Sequence, residues 1–258
     1  HARAPAEARG GAGPRAPPRA RDTPRHNMRY TLRLDEIKNV NANASNFIKQ
    51  QVGRTVTSEI GSILTYDVRD NRQLPTSGYL LRHSIDVAGL GGNERYVRNS
   101  VQAAYYYPIY SQFIASATVE GGVILPIKDD LRISNRFFLG GDNLRGFAVG
   151  GAGPRDTATD DALGGRYYYA GSAELSFPLG LPPEFGIFGK AFTDVGSSWG
   201  VESKSPTIKD KASMRASVGL GLQWFSPFGP IRIDYAISVL KQPYDEEERF
   251  RFSFGTRF

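Results

Sequence analysis

Few residues in this 258-residue chain are equipped for chemistry. Its histidines are His1, His26 and His83, and it has no cysteine. His83 has Asp86 three positions away, but residues an odd number apart on an extended strand point to opposite faces, so the two do not form an acid–base dyad. A metal centre fails for the same shortage of ligands. The residue that stands out is Arg145, in the stretch FFLGGDNLRGF from Phe137 to Phe147, between Leu144 and Gly146. Gly140, Gly141 and Gly146 permit positive φ and close approach of backbone. A phosphate cradle would need a helix after the glycines and a Lys-Ser/Thr pair to close it, and neither follows. Surface connections need only solubility and turn chemistry, so a loop this specific implies a particular acceptor for the guanidinium. The chain is read as a non-enzyme with no cofactor and no metal.

The elements that must position Arg145 are strands. In SMRASVGLGLQWF, Met214, Ala216, Val218, Leu220, Leu222 and Trp224 share one face and Ser213, Arg215, Ser217, Gly219, Gly221 and Gln223 the other. The period is two without a slip. IRIDYAISV repeats it with Ile231, Ile233, Tyr235, Ile237 and Val239, and FRFSFGTRF with Phe250, Phe252, Phe254 and Phe258. Ten strands are expected, near 29–40, 57–69, 78–89, 96–107, 113–124, 166–178, 185–196, 213–225, 231–240 and 249–258. The fifth and seventh alternate poorly, with Phe188 and Phe192 on the face of Asp194.

Alternation of this kind also suits a soluble sandwich. Two features favour a membrane barrel. The polar faces carry charge in strand after strand, and long connections such as NANASNFIKQQVGRT and SSWGVESKSPTIKDKA alternate with short ones such as DNRQLPTS, LPPEF and SPFGP. No run of eighteen apolar residues exists to make a transmembrane helix. The expected fold is all-β, an antiparallel transmembrane β-barrel, here a partial barrel of about ten strands. The net charge of +6 resides mostly in residues 1–26, where six arginines face two acids among five prolines and seven alanines. Residues 1–27 are expected to be a disordered or non-native basic head, and 28–258 the barrel domain. Without aromatics to stack on bases, the head does not read as a nucleic-acid tail.

LRGF in a long loop, YDVRDNRQLPTSG across a turn, LQWFSPFGPIRIDYA joining two strands, and a final strand ending in Phe258 occur together and in order. Over residues 28 to 258 the chain resembles the C-terminal barrel part of the BamA family of outer-membrane β-barrel assembly proteins, in an alphaproteobacterial style. The resemblance implies that the loop bearing Leu144, Arg145, Gly146 and Phe147 folds back into the lumen, where Arg145 pairs with Glu174 and Asp194. A guanidinium fork can satisfy carboxylates from two strands at once. Parity independently places Glu174 with Arg166, Ser172 and Ser176, on the lumen face.

The resemblance further implies an insertase that folds other barrels at a weakly paired seam, by strand addition. Its partners would be unfolded outer-membrane barrel proteins, accessory lipoproteins, and outer-membrane lipid and lipopolysaccharide, in the outer membrane of a Gram-negative bacterium. Family barrels have sixteen strands, so the chain is expected to be a fragment lacking the first six and the periplasmic domains, and unable to work alone. Phe250, Phe252, Phe254 and Phe258 match the C-terminal signal by which barrel substrates are recognised. Two alternatives share the loop or the barrel: a two-partner secretion transporter, and the C-terminal barrel of a patatin-like phospholipase.

Overall fold

The computed structural model describes residues 23–110, 112–127, 131–202, 205–226 and 229–255. Ten long strands dominate: β1 (Arg25–Ile37), β2 (Gly53–Asp67), β3 (Gly78–Ala88), β4 (Tyr96–Tyr110), β5 (Phe113–Pro126), β6 (Tyr167–Pro178), β7 (Ile187–Trp199), β8 (Arg215–Ser226), β9 (Gly229–Leu240) and β10 (Phe250–Phe254). Each overlaps an expected strand. They form one antiparallel sheet in which every strand pairs with its neighbours in sequence. The sheet is not closed: β1 and β10 are its two edges.

β1 opens earlier than expected, because β2 is long enough to pair Arg25, His26 and Asn27 with Thr65, Leu64 and Ile63. Those three residues, assigned to the head by composition, are therefore strand. Residues 1–22 lie outside the described residues, as does Phe258.

The connections sort by end. The connections 38–52, 89–95, 127–166, 200–214 and 241–249 join strands at one end, where described; 68–77 and 179–186 join them at the other, the end at which β4 meets β5 and β8 meets β9. The turn at 68–77 is held by Asp70, whose Oδ1 accepts from the backbone N–H groups of Thr76 and Ser77 at 2.9 and 3.1 Å.

Outer positions carry exposed Leu32, Leu81, Val101, Val119, Leu220, Leu222, Ile237 and Phe252. Aromatics collect toward the strand ends: Tyr105 and Tyr107 on the short-turn side, and Tyr167, whose ring stacks on Trp199 at 5.6 Å, on the long-loop side. No helix among the described residues is long and apolar enough to cross a membrane. An apolar band between aromatic belts is the outer surface of a membrane barrel, which crosses with strands.

The apolar core sits on the opposite, inner face. It consists of two clusters, Leu139, Leu144, Phe147, Ala152 and Ala170 in one, and Ala88, Tyr96, Ile124 and Leu131 in the other. Both are built where loop 127–166 covers strand residues. That accounts for the poor alternation of β5 and β7: Ile124 and Phe192 are inner-facing apolar residues buried by the loop, not by lipid.

Candidate functional site: a loop anchored on two walls

Loop 127–166 is drawn across the inner face by contacts at both of its arms. In the second arm, Gly146 has φ +92°, and a Cβ there would lie 3.0 Å from the Cβ of Ser217, so only glycine lets the chain press so close to β8. That approach delivers Arg145. Its Nε and Nη2 donate to the two carboxylate oxygens of Asp194 at 2.7 and 2.8 Å, and its backbone N–H adds a third bond at 3.1 Å. Nη1 reaches Glu174 at 2.8 Å and Nη2 reaches Ser172 at 3.0 Å. The guanidinium carbon stands 3.4 Å over the ring of Phe192.

Arg145 is 5% exposed and Asp194 1%. A buried charge is tolerable only when its hydrogen-bonding capacity is filled, and a planar fork between a bidentate and a monodentate carboxylate achieves that. Phe192 adds a π face beneath the cation. Leu144 and Phe147, flanking the motif, are fully buried in the adjoining apolar cluster. Gly146 and Phe147 also make a short ladder with Glu248 and Glu247 of loop 241–249.

Beyond the residues named from sequence, the site includes Lys190 and Asp234. Lys190 Nζ lies 3.1 Å from Asp234 and 3.6 Å from Glu174, and Asp234 lies 3.9 Å from Arg145. The Lys190 ion pair is angled so that Asp234 Oδ1 accepts no hydrogen bond among the described residues. The cluster thus holds two cations among three carboxylates on β6, β7 and β9. Asp234 and Lys190 were not singled out from the sequence: each occupies an inner-facing strand position, and no local pattern signals that they converge.

The first arm lies against β1–β4. Asn135, wholly buried, accepts from Arg33 through its side-chain oxygen, donates to Glu94 at 3.1 Å, and accepts from Arg98 at its carbonyl at 2.7 Å. Arg132 pairs with Glu94 at 3.2 Å and donates to the carbonyl of Gln51 at 2.9 Å. Burial pushes the Glu94 carboxyl up, against the opposing pull of Arg132 and Asn135. At the outer end, Ser45 donates to Asp156 at 2.6 Å; burial pushes that carboxyl up, but the Ser45 hydroxyl, the Ala158 N–H and Thr207 together hold it below its usual value. Arg215 and Asp245, both fully buried, strap loop 241–249 to β8. Nothing in the sequence signalled these contacts.

Other sequence candidates fall as follows. Asp86 faces inward and accepts from Arg29 at 2.8 Å, while His83 faces outward, 3.2 Å from Asn99. Phe250, Phe252 and Phe254 are exposed on the outer face of β10. Below the loop remains a cavity of about 730 Å³ lined in part by Arg82, Gln102, Glu120, Arg145 and Arg232.

A family model described as the Omp85 superfamily domain matches residues 3–258. The outer membrane protein assembly factor BamA of Neorickettsia risticii is 33% identical over 240 residues, covering 92% of this chain and 32% of the relative. The same-named protein of Nitratidesulfovibrio vulgaris is 27% identical over 237 residues, 89% and 29% of the two chains. The human sorting and assembly machinery component 50 homolog is 29% identical over 170 residues, 65% of this chain and 36% of its own. In fold, the chain is similar to the crystal structure of BamA from Haemophilus ducreyi lacking POTRA domains 1–3, with a TM-score of 0.70 at 23% identity over 77% of this chain and 42% of that one. The chain thus spans about a third of the length of the bacterial relatives it matches.

Proposed function

The chain belongs to the Omp85 superfamily, and on that premise we infer that it forms part of a bacterial outer-membrane β-barrel that folds and inserts other barrels. The observation that carries this reading is the imbalance at the ends of the sheet. Among the described residues β9 holds β10 by five residue pairs, whereas β8 and β9 share eleven and β1 and β2 thirteen. The other edge of β10 is unpaired among the described residues, and such an edge can be extended by an incoming strand, with backbone hydrogen bonds supplying affinity and alternate side chains register.

Insertion then proceeds downhill. The client's apolar face moves into lipid, and closure satisfies its backbone groups, so no nucleotide or cofactor is required. The anchored loop keeps the inner face rigid while the edge is in use. Unfolded outer-membrane barrel proteins are the clients, assembly lipoproteins and lipopolysaccharide-bearing lipid the surroundings; nucleic acid is not a partner. The source is a Gram-negative bacterium, and the Neorickettsia relative favours an alphaproteobacterium. Phe250, Phe252, Phe254 and Phe258 serve as this chain's own assembly signal.

The test is a chimera in which residues 28–258 replace the matching segment of the Neorickettsia relative in lipid vesicles. Client folding, followed by protease resistance, should run faster than in empty vesicles, and residues 28–258 alone should give no acceleration. A correctly folded chimera that leaves the client at the empty-vesicle rate defeats the reading.

A further inference from the structure

We propose that Asp142 is a positioning residue that latches the last strand to the anchored loop, so that docking of Arg145 and pairing of β10 are coupled. The inference rests on the reading of β10 as the client's point of entry. Asp142 Oδ1 accepts from Arg251 Nε at 2.7 Å and from Ser253 Oγ at 2.8 Å, which are the two inner-facing residues of β10. Three positions later in the same loop, Arg145 grips Asp194 on β7 and Glu174 on β6. A four-residue stretch therefore clamps β7 and β10 from inside, across β8 and β9, a span of roughly 14 Å at ordinary strand spacing.

Two further features tie β10 to this clamp. Arg251 is registered opposite Asp234, which itself lies 3.9 Å from Arg145, so charged inner positions run from the anchor to the edge strand. Gly141, at φ +67°, has Arg251 packed over it: a Cβ there would come within 2.9 Å of Nη2. The turn is shaped to receive that side chain. Arg251 also donates to Glu248 at 2.7 Å, in the segment that pairs with Gly146 and Phe147. With five residue pairs to β9 among the described residues, β10 takes a substantial share of its hold from these inner-face bonds.

The test is amide hydrogen exchange of the full chain in lipid bilayers, which requires no insertion activity. Loss of a hydrogen bond to a charged, half-exposed partner should speed exchange across Phe250–Phe254 about tenfold in Asp142→Ala, with β2 unchanged. The exchanged pair Asp142→Arg with Arg251→Asp should recover most of the protection. If the alanine variant does not reach the folded form, isosteric Asp142→Asn takes its place. Exchange at β10 within about twofold of the parent, equal acceleration in β2, or a swap as fast as the single variant overturns the latch. Insertion is not measured, so a failed insertase reading and a failed latch give separate results.

Discussion

The two walls that hold loop 127–166 differ in kind. Against β6–β9 the loop concentrates its charged contacts in one residue, Arg145, which gathers carboxylates from β6 and β7 and stands over Phe192. Against β1–β4 it spreads the task over Arg132, Ile133 and Asn135, whose bonds overlap on Gln51, Glu94, Arg33 and Arg98. A concentrated anchor is strong and brittle. A distributed one tolerates the loss of any member. The comparison matters because the concentrated anchor lies nearer β10, the edge that a client would use.

The largest effect should follow from Arg145→Ala. It strands Asp194 in a buried site and leaves Glu174 with Lys190 as its nearest cation, and breaking such a buried pair costs about 3–5 kcal/mol. Urea unfolding from lipid vesicles would measure it, and Arg145→Lys should recover only part, because an ammonium cannot make the bidentate bond. A loss under about 1 kcal/mol for alanine would erase the contrast between the walls. Next comes Lys190→Met, which leaves Asp234 without its nearest cation and should cost about 3 kcal/mol. Adding Asp234→Asn should return most of that, since it removes the orphaned charge; simple additivity of the two would mean that the pair is not coupled.

On the other wall, Asn135→Ala should cost about 1–3 kcal/mol, the penalty of leaving Glu94 and Arg33 short of one buried partner. Glu94 keeps Arg132, and Arg98 keeps the Asn135 backbone carbonyl, so the damage is contained. An Asn135 loss equal to that of Arg145 would show that the distributed wall is as brittle as the concentrated one.

The same asymmetry governed what the sequence could reveal. Strands were legible because lipid on one side enforces a period of two, and all ten appear in the sheet. The exceptions were informative: Phe192 shares a face with Asp194 because it floors the guanidinium, and Ile124 is inward because Leu131 and Phe137 cover it. An arginine set among glycines and buried flanking apolars is an unusual local pattern, so Arg145 drew attention. Its acids came from resemblance, with parity supporting Glu174. Asn135, Glu94 and Arg33 are ordinary residues of ordinary loops and strands. Their convergence depends on how a forty-residue connection folds over the sheet, and no local period encodes that. Asp142 was visible within the motif, yet its partner Arg251 is 109 positions away.

Acidity offers the finest way to separate the walls, with the smallest expected effect. The cation of the β6–β9 anchor is a guanidinium, which keeps its charge throughout the accessible range. The β1–β4 side instead includes two titrating carboxyls outside the ten long strands, moved in opposite directions. Glu94, ordinarily near 4.5, is raised by burial, so the folded state binds its proton more tightly than the unfolded chain does. Its contribution to stability is therefore fully present below 4.5 and is lost as pH rises through the raised value. Asp156, ordinarily near 3.8, is lowered, so its contribution is present above 3.8 and is lost as pH falls through the lowered value. Lowering pH from neutral toward 4.5 should tighten the first arm of the loop, and acidifying well below 3.8 should release the tie to Ser45. Hydrogen exchange of residues 131–137, corrected for the intrinsic pH dependence of exchange, would read the first limb. Glu94→Gln should flatten it while leaving protection at the Gly146–Phe147 ladder unchanged. A Glu94→Gln profile that still follows the parent would mean that the first arm takes its pH response from elsewhere, and that burial of Glu94 does not set how firmly the distributed wall holds.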